Sequence, residues 1–314
     1  MNTNKPFPLP TGYFGIPLGL AALSLAWTHL AHSPLTETIS NILGISAILV
    51  WLLFIGLYLY KLRYFKHEVL EEYRCPVRFS FLALIPITTM LVADILYRWQ
   101  PLLAEVMIWI GTVGQLLFSS IRIGELWKGG IFEQKSTRPP FYLPAVAANF
   151  TSASSFALIG YHDLGYLFFG AGLIAWIIFE PVLLQHLRIS SVEPPFRATM
   201  GIILAPAFVG ASAYLAVNHG EIDTFVKILW GYGFLQFFFL IRLLPWIAEK
   251  GLNIGFWGFS FGLASMANSA VAFYHANVLP GVAIFAFVFA NVMILGLISL
   301  TIYKLSKGQF WVKS

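Results

Sequence analysis

The chain has 314 residues, of which 58% are hydrophobic and only 11% are charged, and its formal net charge is +5. Soluble domains carry about 25% charged residues, so this composition excludes an ordinary water-soluble domain. The length is better counted in membrane spans, each of which needs about 20 apolar residues. The lone cysteine, Cys75, cannot form an internal disulfide, and the polar, proline-rich residues 1–10 do not resemble a cleavable signal peptide.

Ten apolar segments follow one another, each long enough to cross a bilayer. They cover residues 13–30, 39–62, 77–97, 102–127, 141–161, 164–187, 196–217, 224–247, 255–275 and 281–305. The first segment of each successive pair has a helix breaker near its centre, namely Pro17, Pro86, Pro144, Pro206 or Gly262. The pattern predicts an all-α, polytopic integral membrane protein of ten transmembrane helices in five hairpins. The hairpins cover roughly residues 11–63, 76–128, 139–188, 195–249 and 254–306 of one transmembrane domain, 1–314.

Lysine and arginine are concentrated in alternate connectors. The basic set comprises Lys61, Arg63, Lys66, Arg74, Arg78, Lys128, Lys135, Arg138, Arg188, Arg197 and Lys250. Because cytoplasmic loops carry an excess of these residues, both termini are predicted to be cytoplasmic. The breaker-containing helices then all run outward, so the hairpins are parallel repeats that can close into a ring around a central pore.

The first helix of each hairpin is richer in small and hydroxyl residues than the second. Residues 149–155 (NFTSASS) contrast with the aliphatic and aromatic run 45–59. A proline inside a membrane helix is tolerated where neighbouring helices or a wet cavity satisfy the freed backbone groups. We therefore predict that the first helices surround the pore, although close helix packing alone would give the same pattern.

Phenylalanines accompany the breakers. Phe14, Phe141 and Phe259 each precede a breaker by three residues, and Phe261 directly precedes Gly262. An aromatic ring at the waist of a pore excludes water and ions by dewetting, and a glycine beside it frees the backbone. These rings, with Gly15 and the breakers, are therefore candidate pore-lining groups. The alternative is that these positions have no special role, because a chain with 29 phenylalanines has some of them on every helix.

Charged residues are scarce in the apolar segments. The first helices contain one acid, Asp94, and no lysine or arginine within their apolar core. Coupled transporters usually carry buried ionisable residues, so this scarcity favours an uncoupled pore. Arg78 and Arg197 lie at the predicted cytoplasmic entrances, where they either concentrate anions or only set the topology. Glu180 is either a functional acid or an inter-helix hydrogen-bonding group.

The remaining motifs give little support for chemistry. The histidines on the predicted outer side form either a pH-sensing or metal-binding rim or ordinary interfacial groups, and they are His29, His32, His162, His219 and His275. Their spacing lacks a metal-ligand pattern. No phosphate loop, catalytic triad or Cys/His motif occurs in the sequence. We predict no catalytic residue, metal, cofactor or nucleic-acid partner, and no enzyme activity.

Three stretches carry a family resemblance, namely 10–17 (PTGYFGIP), 143–149 (LPAVAAN) and 256–265 (FWGFSFGLAS). They resemble the tellurite-resistance/dicarboxylate transporter family, which includes the plant guard-cell slow anion channels and yeast malate permeases. The resemblance extends over essentially the whole chain. It implies five hairpins around a pore, a homotrimer with one pore per subunit, and anion conduction. The family's occluding phenylalanine corresponds to Phe261, and its kink prolines to Pro17, Pro86, Pro144 and Pro206, with Gly262 at the fifth place.

Two functions follow from this reading. The first is a gated channel of the bacterial inner membrane for small monovalent anions such as chloride and nitrate. Its polar groups would bind anions weakly and release them quickly. The alternative is a secondary carrier for dicarboxylates or oxyanions such as tellurite, which requires alternating access. Large ohmic currents would support the channel, and electrically silent exchange would support the carrier.

Overall fold

The computed structural model describes residues 7–30, 33–128 and 137–311, and these residues fold mainly into helices without a β-strand. The α-helices are α1 (Gly15–Leu30), α2 (Pro34–Tyr64), α3 (Lys66–Arg74), α4 (Leu84–Leu96), α5 (Pro101–Arg122), α6 (Ala148–Leu158), α7 (His162–Ile189), α8 (Ala205–Val217), α9 (Thr224–Ile247), α10 (Ser260–His275) and α11 (Pro280–Ser306). The predicted all-α class is confirmed. Two residues named above, His32 and Lys135, lie outside the described ranges.

The long helices pack as consecutive pairs, and α3 is a short helix between the first two pairs. Within the pairs, α1 packs on α2, α4 on α5, α6 on α7, α8 on α9 and α10 on α11. The first members also pack on one another in chain order, and α10 closes the ring against α1. We call α1, α4, α6, α8 and α10 the inner helices and their partners the outer helices.

Burial separates the inner helices from the outer ones. In the three inner spans that can be compared, 67%, 67% and 83% of the apolar window is buried, against 17–39% in the outer spans. The exposed faces of the outer helices are aliphatic and aromatic, as a hydrocarbon environment requires. The molecule is therefore a multi-pass membrane protein with its inner ring shielded from the surroundings.

Eight helices in the described residues are long and apolar enough to cross a membrane, two fewer than the ten spans predicted. The inner helices of the third and fifth hairpins are the two that fall short. The third is divided into a 3-10 turn (Pro139–Phe141), a π-helical segment (Leu143–Ala147) and α6. The fifth carries Ser265, Asn268 and Ser269, which lower its hydropathy. Both nevertheless occupy their places in the ring.

The helix breakers mark a change in helix type rather than a simple bend. A 3-10 segment precedes α1, α4, α8 and α10, and these segments are Thr11–Phe14, Arg78–Ala83, Pro194–Leu204 and Ile254–Phe259. Pro17, Pro86 and Pro206 lie in the first turn of the α-helix that follows, and Pro144 lies in the first turn of the π-helical segment. A proline is tolerated there because the first N–H groups of a helix have no intrahelical acceptor.

Backbone carbonyls near the breakers find partners on neighbouring helices. Thr88 Oγ1 lies 3.5 Å from the carbonyl oxygen of Phe14, and Ser119 Oγ donates to the carbonyl of Pro144 at 2.5 Å. Ser260 Oγ lies 3.3 Å from the carbonyl of Gly15. These contacts supply the polar partners that a broken helix needs inside a membrane.

Gly262 of α10 packs closely against the start of α8, and this contact leaves no room for a side chain. A Cβ at this position would lie 2.9 Å from the backbone carbon of Leu204 and 3.0 Å from the nitrogen of Ala205. The residue lies inside continuous α10 and has no positive φ. The sequence suggested that Gly262 frees the backbone so that the Phe261 ring can swing. The structure instead indicates that this glycine allows two helical segments to pack closely.

Candidate functional site

A cavity of about 180 Å³ lies at the N-terminal ends of the inner helices. We call it the lower cavity. Its walls come from the starts of all five hairpins and from Glu72 of α3, and they include Thr11, Gly15, Arg78 and Thr199. All five hairpins contribute through residues at or before the first turns of their inner helices, so the lower cavity lies on the axis of the ring.

A larger cavity of about 480 Å³, the upper cavity, lies where the inner helices end. Every inner helix lines it, and its polar members are His29, Asp94, Thr151, Ser154, Ser212, Ser265, Asn268, Ser269 and His275. The inner helices thus contribute early residues to the lower cavity and late residues to the upper one. This ordering shows that all five inner helices run in the same direction.

Phe261 lines both cavities, and it is the one residue among those the structure describes that their walls share. On α1, one helical turn separates Leu18 of the lower cavity from Ala22 of the upper cavity. On α8, one turn similarly separates Ala205 from Val209. On α10 the Phe261 side chain, which is 5% exposed, lies in the walls of both cavities.

The other candidate rings lie elsewhere. Gly15 lines the lower cavity, but Phe14, Phe141 and Phe259 line neither cavity. Phe14 packs edge-on against Phe54 of α2 at 5.7 Å between ring centroids. Phe141 packs against Phe179 of α7 at 4.9 Å, and a Cβ on Gly201 would overlap the Phe259 ring. These three rings fill spaces between helices, which corrects the expectation that they line the pore.

Each of these rings belongs to the last residue of a 3-10 segment, before the α- or π-helix that contains its breaker. The breakers are not in the cavity walls either: Pro17, Pro144 and Pro206 line neither cavity, and Pro86 lines a groove on the outside of the ring. Phe261 is one residue from Gly262 and therefore projects from a different face.

The two arginines of the predicted anion rim have different surroundings. Arg78 is exposed and lines the lower cavity. Arg197 does not line it: its guanidinium pairs with Glu249, donates to the carbonyl of Trp246 at 3.2 Å and lies over the Trp246 ring. Arg197 therefore ties the start of the fourth inner helix to the end of α9.

A buried ionic cluster beside the lower cavity was missed at the sequence level. Lys61 Nζ lies 2.8 Å from Glu72 Oε1 and 3.9 Å from Glu68 Oε2. Thr11 Oγ1 donates to Glu72 Oε2 at 2.8 Å, and the backbone N–H of Phe7 donates to Glu68 at 2.9 Å. The i, i+4 spacing of Glu68 and Glu72 on α3 is visible in the sequence, but it does not identify the residues that pair with these two glutamates. The cluster fastens the start of the first hairpin to α3.

Asp94 is the acid of the upper cavity. Its Oδ2 accepts a hydrogen bond from Ser155 Oγ at 3.0 Å, whereas its Oδ1 is buried without a hydrogen-bond partner in the described structure. Arg98, one turn further along, contacts Ser40 and stacks on Trp99 instead. Among the described residues no ion pair neutralises Asp94, so ionisation of this carboxyl group places an uncompensated negative charge in the cavity.

Three hydroxyl groups of the upper cavity are already engaged. Ser212 Oγ and Ser269 Oγ donate to the carbonyl of Ser265 at 3.0 and 2.9 Å. Thr151 Oγ1 donates to the carbonyl of Ala147 at 2.9 Å. A hydrogen-bond acceptor that enters the cavity has to compete with these carbonyls for each of the three hydroxyl protons.

Glu180 is far from both cavities and is fully hydrogen-bonded. Its Oε1 accepts from Tyr232 at 2.6 Å and Gln236 at 3.0 Å, and its Oε2 accepts from Trp176 at 2.8 Å and from Tyr142. The donors belong to the third and fourth hairpins. Of the two readings offered by the sequence, this geometry supports the inter-helix hydrogen-bonding group.

The described histidines do not form one rim. His29 and His275 line the upper cavity, and His29 Nδ1 is 2.6 Å from Asn268 Oδ1. His162 and His219 form a separate pair with ring centroids 4.2 Å apart. Within the described ranges, no group of three or more His, Cys, Asp or Glu residues is arranged to hold a metal ion.

Comparison with known proteins gives the family. Residues 8–303 match the family model SLAC1, described as a voltage-dependent anion channel. The chain is 76% identical over 314 residues to a protein of Haemophilus influenzae named tellurite resistance protein TehA homolog, covering 100% of this chain and 96% of that one.

Plant relatives are more distant. The chain is 26% identical to the S-type anion channel SLAH4 of Arabidopsis thaliana, covering 96% of this chain and 84% of the relative. It is 22% identical to the guard cell S-type anion channel SLAC1 of the same plant, covering 87% of this chain and 50% of the relative. The resemblance inferred from the three sequence stretches is confirmed, and the chain belongs to the SLAC1 family of voltage-dependent anion channels.

Proposed function

We propose that this protein is a gated channel of the bacterial inner membrane that passes small monovalent anions, such as chloride and nitrate. It works as a homotrimer with one pore per subunit and with both termini in the cytoplasm. The observation that carries the proposal is that Phe261 alone lines both axial cavities. A ring in that position interrupts the water column, and its displacement opens a continuous path through the inner helices.

The polar groups along this path support weak selection rather than tight binding. The hydroxyls of the upper cavity are shared with backbone carbonyls, so they offer partial compensation for lost hydration. Arg78 at the lower cavity attracts anions by its charge, and the nearby Glu72 is neutralised by Lys61. Weak sites of this kind permit rapid exit, which a channel requires.

A carrier for dicarboxylates or oxyanions such as tellurite remains the second candidate, and the name of the Haemophilus relative motivates it. Alternating access involves repeats, inverted or parallel, that rock about one central binding site between them. Here the inner helices run in the same direction and enclose two cavities with a shared plug. This arrangement favours local gating at Phe261 over exchange between two global states.

The proposal is tested by Phe261→Ala in purified protein reconstituted into planar bilayers. We expect a folded protein with a large ohmic current under chloride and nitrate gradients, because the space left by the ring lets water connect the cavities. Phe259→Ala is the matched control, since it removes a buried ring from the same helix start that lines neither cavity. It should remain as silent as the wild type.

Gly15→Asp gives a test of charge in the opened background. A Cβ at Gly15 has room, because its nearest neighbour is Trp257 Cβ at 3.6 Å. The new carboxylate in the lower cavity should reduce the anion current of Phe261→Ala. A well-folded Phe261→Ala protein that stays silent would refute the gate, and electrically silent anion exchange by the wild type would favour the carrier.

A further inference from the structure

A third cavity, of about 600 Å³, lies outside the ring between the first two hairpins. We call it the groove. Its walls come from α2, α3, α4 and α5, and its floor includes Pro86. Leu70 and Ile110 at its edges are 51% and 63% exposed, so the groove is open to the surroundings of the protein. On a membrane protein those surroundings are lipid hydrocarbon.

The groove exists because α5 presents glycines to α4. A Cβ at Gly111 would lie 2.5 Å from Met90 Cγ and 3.1 Å from the carbonyl oxygen of Pro86, so this glycine brings the helices together. A Cβ at Gly114 would meet only Pro86 Cβ, at 3.9 Å. Gly111 is therefore required for the close packing of α4 and α5. At Gly114 an added Cβ would meet no clash, so this glycine leaves an open space between the helices.

The polar side chains that line the groove are Thr89, Tyr58 and Tyr73. Thr89 Oγ1 donates to the carbonyl of Ile85 at 2.8 Å and accepts from Trp51 Nε1 at 3.2 Å. The neighbouring wall residues are aliphatic or aromatic, including Val69, Leu70 and Phe118. A ligand for this groove is an apolar chain.

Basic side chains mark where the polar end of such a ligand would lie. Lys66 and Arg74 of α3 are four residues before and four after Leu70, so they share its face of the helix. Both are exposed, and neither takes part in an ion pair among the described residues. An apolar slot bordered by unpaired cations is complementary to an anionic lipid.

We infer that the groove binds an acyl chain of an anionic phospholipid, with its phosphate contacting Lys66 and Arg74. This lipid site acts on the pore through α3. The helix lines the groove with Val69, Leu70 and Tyr73, and it lines the lower cavity with Glu72. A lipid that holds one side of α3 also holds Glu72 against Lys61 and Thr11 at the lower cavity.

Photo-crosslinking tests the binding directly. The wild-type protein is reconstituted with phosphatidylglycerol carrying a diazirine on its acyl chain, and the adducts are mapped by mass spectrometry. We expect adducts on α3 and α5. Gly114→Leu should reduce them several-fold, because leucine fills the slot without a backbone clash and favours the helix over glycine. Gly231→Leu on α9, where nothing lies within 4 Å of the Cβ, should not.

Charge is tested separately with Lys66→Gln/Arg74→Gln. We expect this double variant to lose the preference for phosphatidylglycerol over phosphatidylcholine at the groove. Unchanged adducts in Gly114→Leu, or adducts that ignore the headgroup in the wild type, would overturn the inference. So would a groove that is closed by a neighbouring subunit, shown by intersubunit disulfides from Gly114→Cys.

The effect on the pore rests on the proposed function and is measured in the Phe261→Ala background. There, Gly114→Leu should change the anion conductance, whereas Gly231→Leu should leave it unchanged. Equal conductance in both variants would overturn the coupling through α3. The crosslinking result needs no current, so a silent Phe261→Ala protein would refute the gate without affecting the lipid site.

Discussion

Among the described residues Asp94 is the one acid that lines the upper cavity, so its ionisation bears directly on conduction. Its Oδ1 is buried without a hydrogen-bond partner in the described structure, and the side chain lines the upper cavity. A negative charge in a cavity with low-dielectric walls repels anions more strongly than the same charge in water. The sequence identified Asp94 as the one acid of the inner helices, but only the structure shows that it faces the axis.

We therefore expect Asp94→Asn to increase the anion conductance of the Phe261→Ala channel. The substitution keeps the shape of the side chain and removes its charge. Single-channel recording in symmetric chloride measures the effect. Ser155→Ala is the comparison variant, because it removes the hydrogen bond to Asp94 Oδ2 and keeps the carboxyl group. Equal conductance in Asp94→Asn and the parent channel would show that Asp94 exerts no field on the pore.

Cys75, between α3 and the second hairpin, offers a pH-dependent probe next to the lower cavity. Burial raises the pKa of its thiol, but hydrogen bonds from the backbone and side chain of Arg78 and from the Val77 backbone outweigh it. The pKa therefore lies below its ordinary value. Because the thiolate is the reactive form, Cys75 should be alkylated faster near neutral pH than an ordinary thiol.

The measurement is the rate of iodoacetamide alkylation as a function of pH. A lowered pKa shifts the midpoint of this profile to lower pH than in the denatured chain. Arg78→Gln should shift it back toward higher pH, since it removes the stabilising charge and side-chain hydrogen bond. Coincident profiles for the native and denatured protein would contradict the assignment.

At the scale of helices, the recurrence of breakers predicted the five inner helices and their arrangement around one axis. It did not predict the 3-10 segments, because the choice between i→i+3 and i→i+4 hydrogen bonds depends on packing against neighbouring helices. That choice decides which face a side chain occupies. Phe14, Phe141 and Phe259 end 3-10 segments and pack between helices, whereas Phe261 lies in α10 and lines both axial cavities.

Glu180 illustrates how an intramembrane acid can serve the fold. Its carboxylate accepts four hydrogen bonds from Tyr142, Trp176, Tyr232 and Gln236. Tyr142 directly precedes the π-helical segment that contains Pro144. The network therefore fixes the start of the third inner helix to the outer helices α7 and α9.

We expect Glu180→Ala to reduce the free energy of unfolding by roughly 1–3 kcal/mol, since it leaves buried donors without an acceptor. Thermal unfolding in detergent measures the loss. Glu221→Ala is the control, because this acid is exposed in the loop after α8. If both variants unfold at the wild-type temperature, the network contributes nothing to stability.

At the scale of the whole molecule, charge distribution and repeat direction predicted a ring of parallel hairpins. The sequence could not predict the contacts that connect distant parts of the ring. Lys61, Glu72 and Thr11 belong to three separate elements, and their cluster arises only when the first hairpin folds against α3. The presence of Phe261 in the walls of both cavities likewise depends on the packing of α10 against α1, which closes the ring.

The number of membrane crossings can be decided by labelling. If all ten helices cross, the loop with Glu221 lies outside and Lys250 lies in the cytoplasm. If the inner helices of the third and fifth hairpins do not cross, the intervening helices invert and these two positions exchange sides. Both side chains are exposed. Each is replaced by cysteine in a Cys75→Ser background and treated in intact cells with a membrane-impermeant maleimide.

We expect Glu221→Cys to be labelled and Lys250→Cys to be labelled only after the cells are broken. The physical reason is the ring itself. Both α6 and α10 pack between inner helices that cross the membrane. The third hairpin, through its π-helical segment and α6, and the fifth hairpin, through α10, contribute to both axial cavities. A helix in that position has to pass through the bilayer, whatever its own hydropathy. Lys307→Cys, after the last helix, should be protected in either case and reports cell integrity. Labelling of Lys250→Cys with protection of Glu221→Cys would establish eight crossings and exclude the parallel ring.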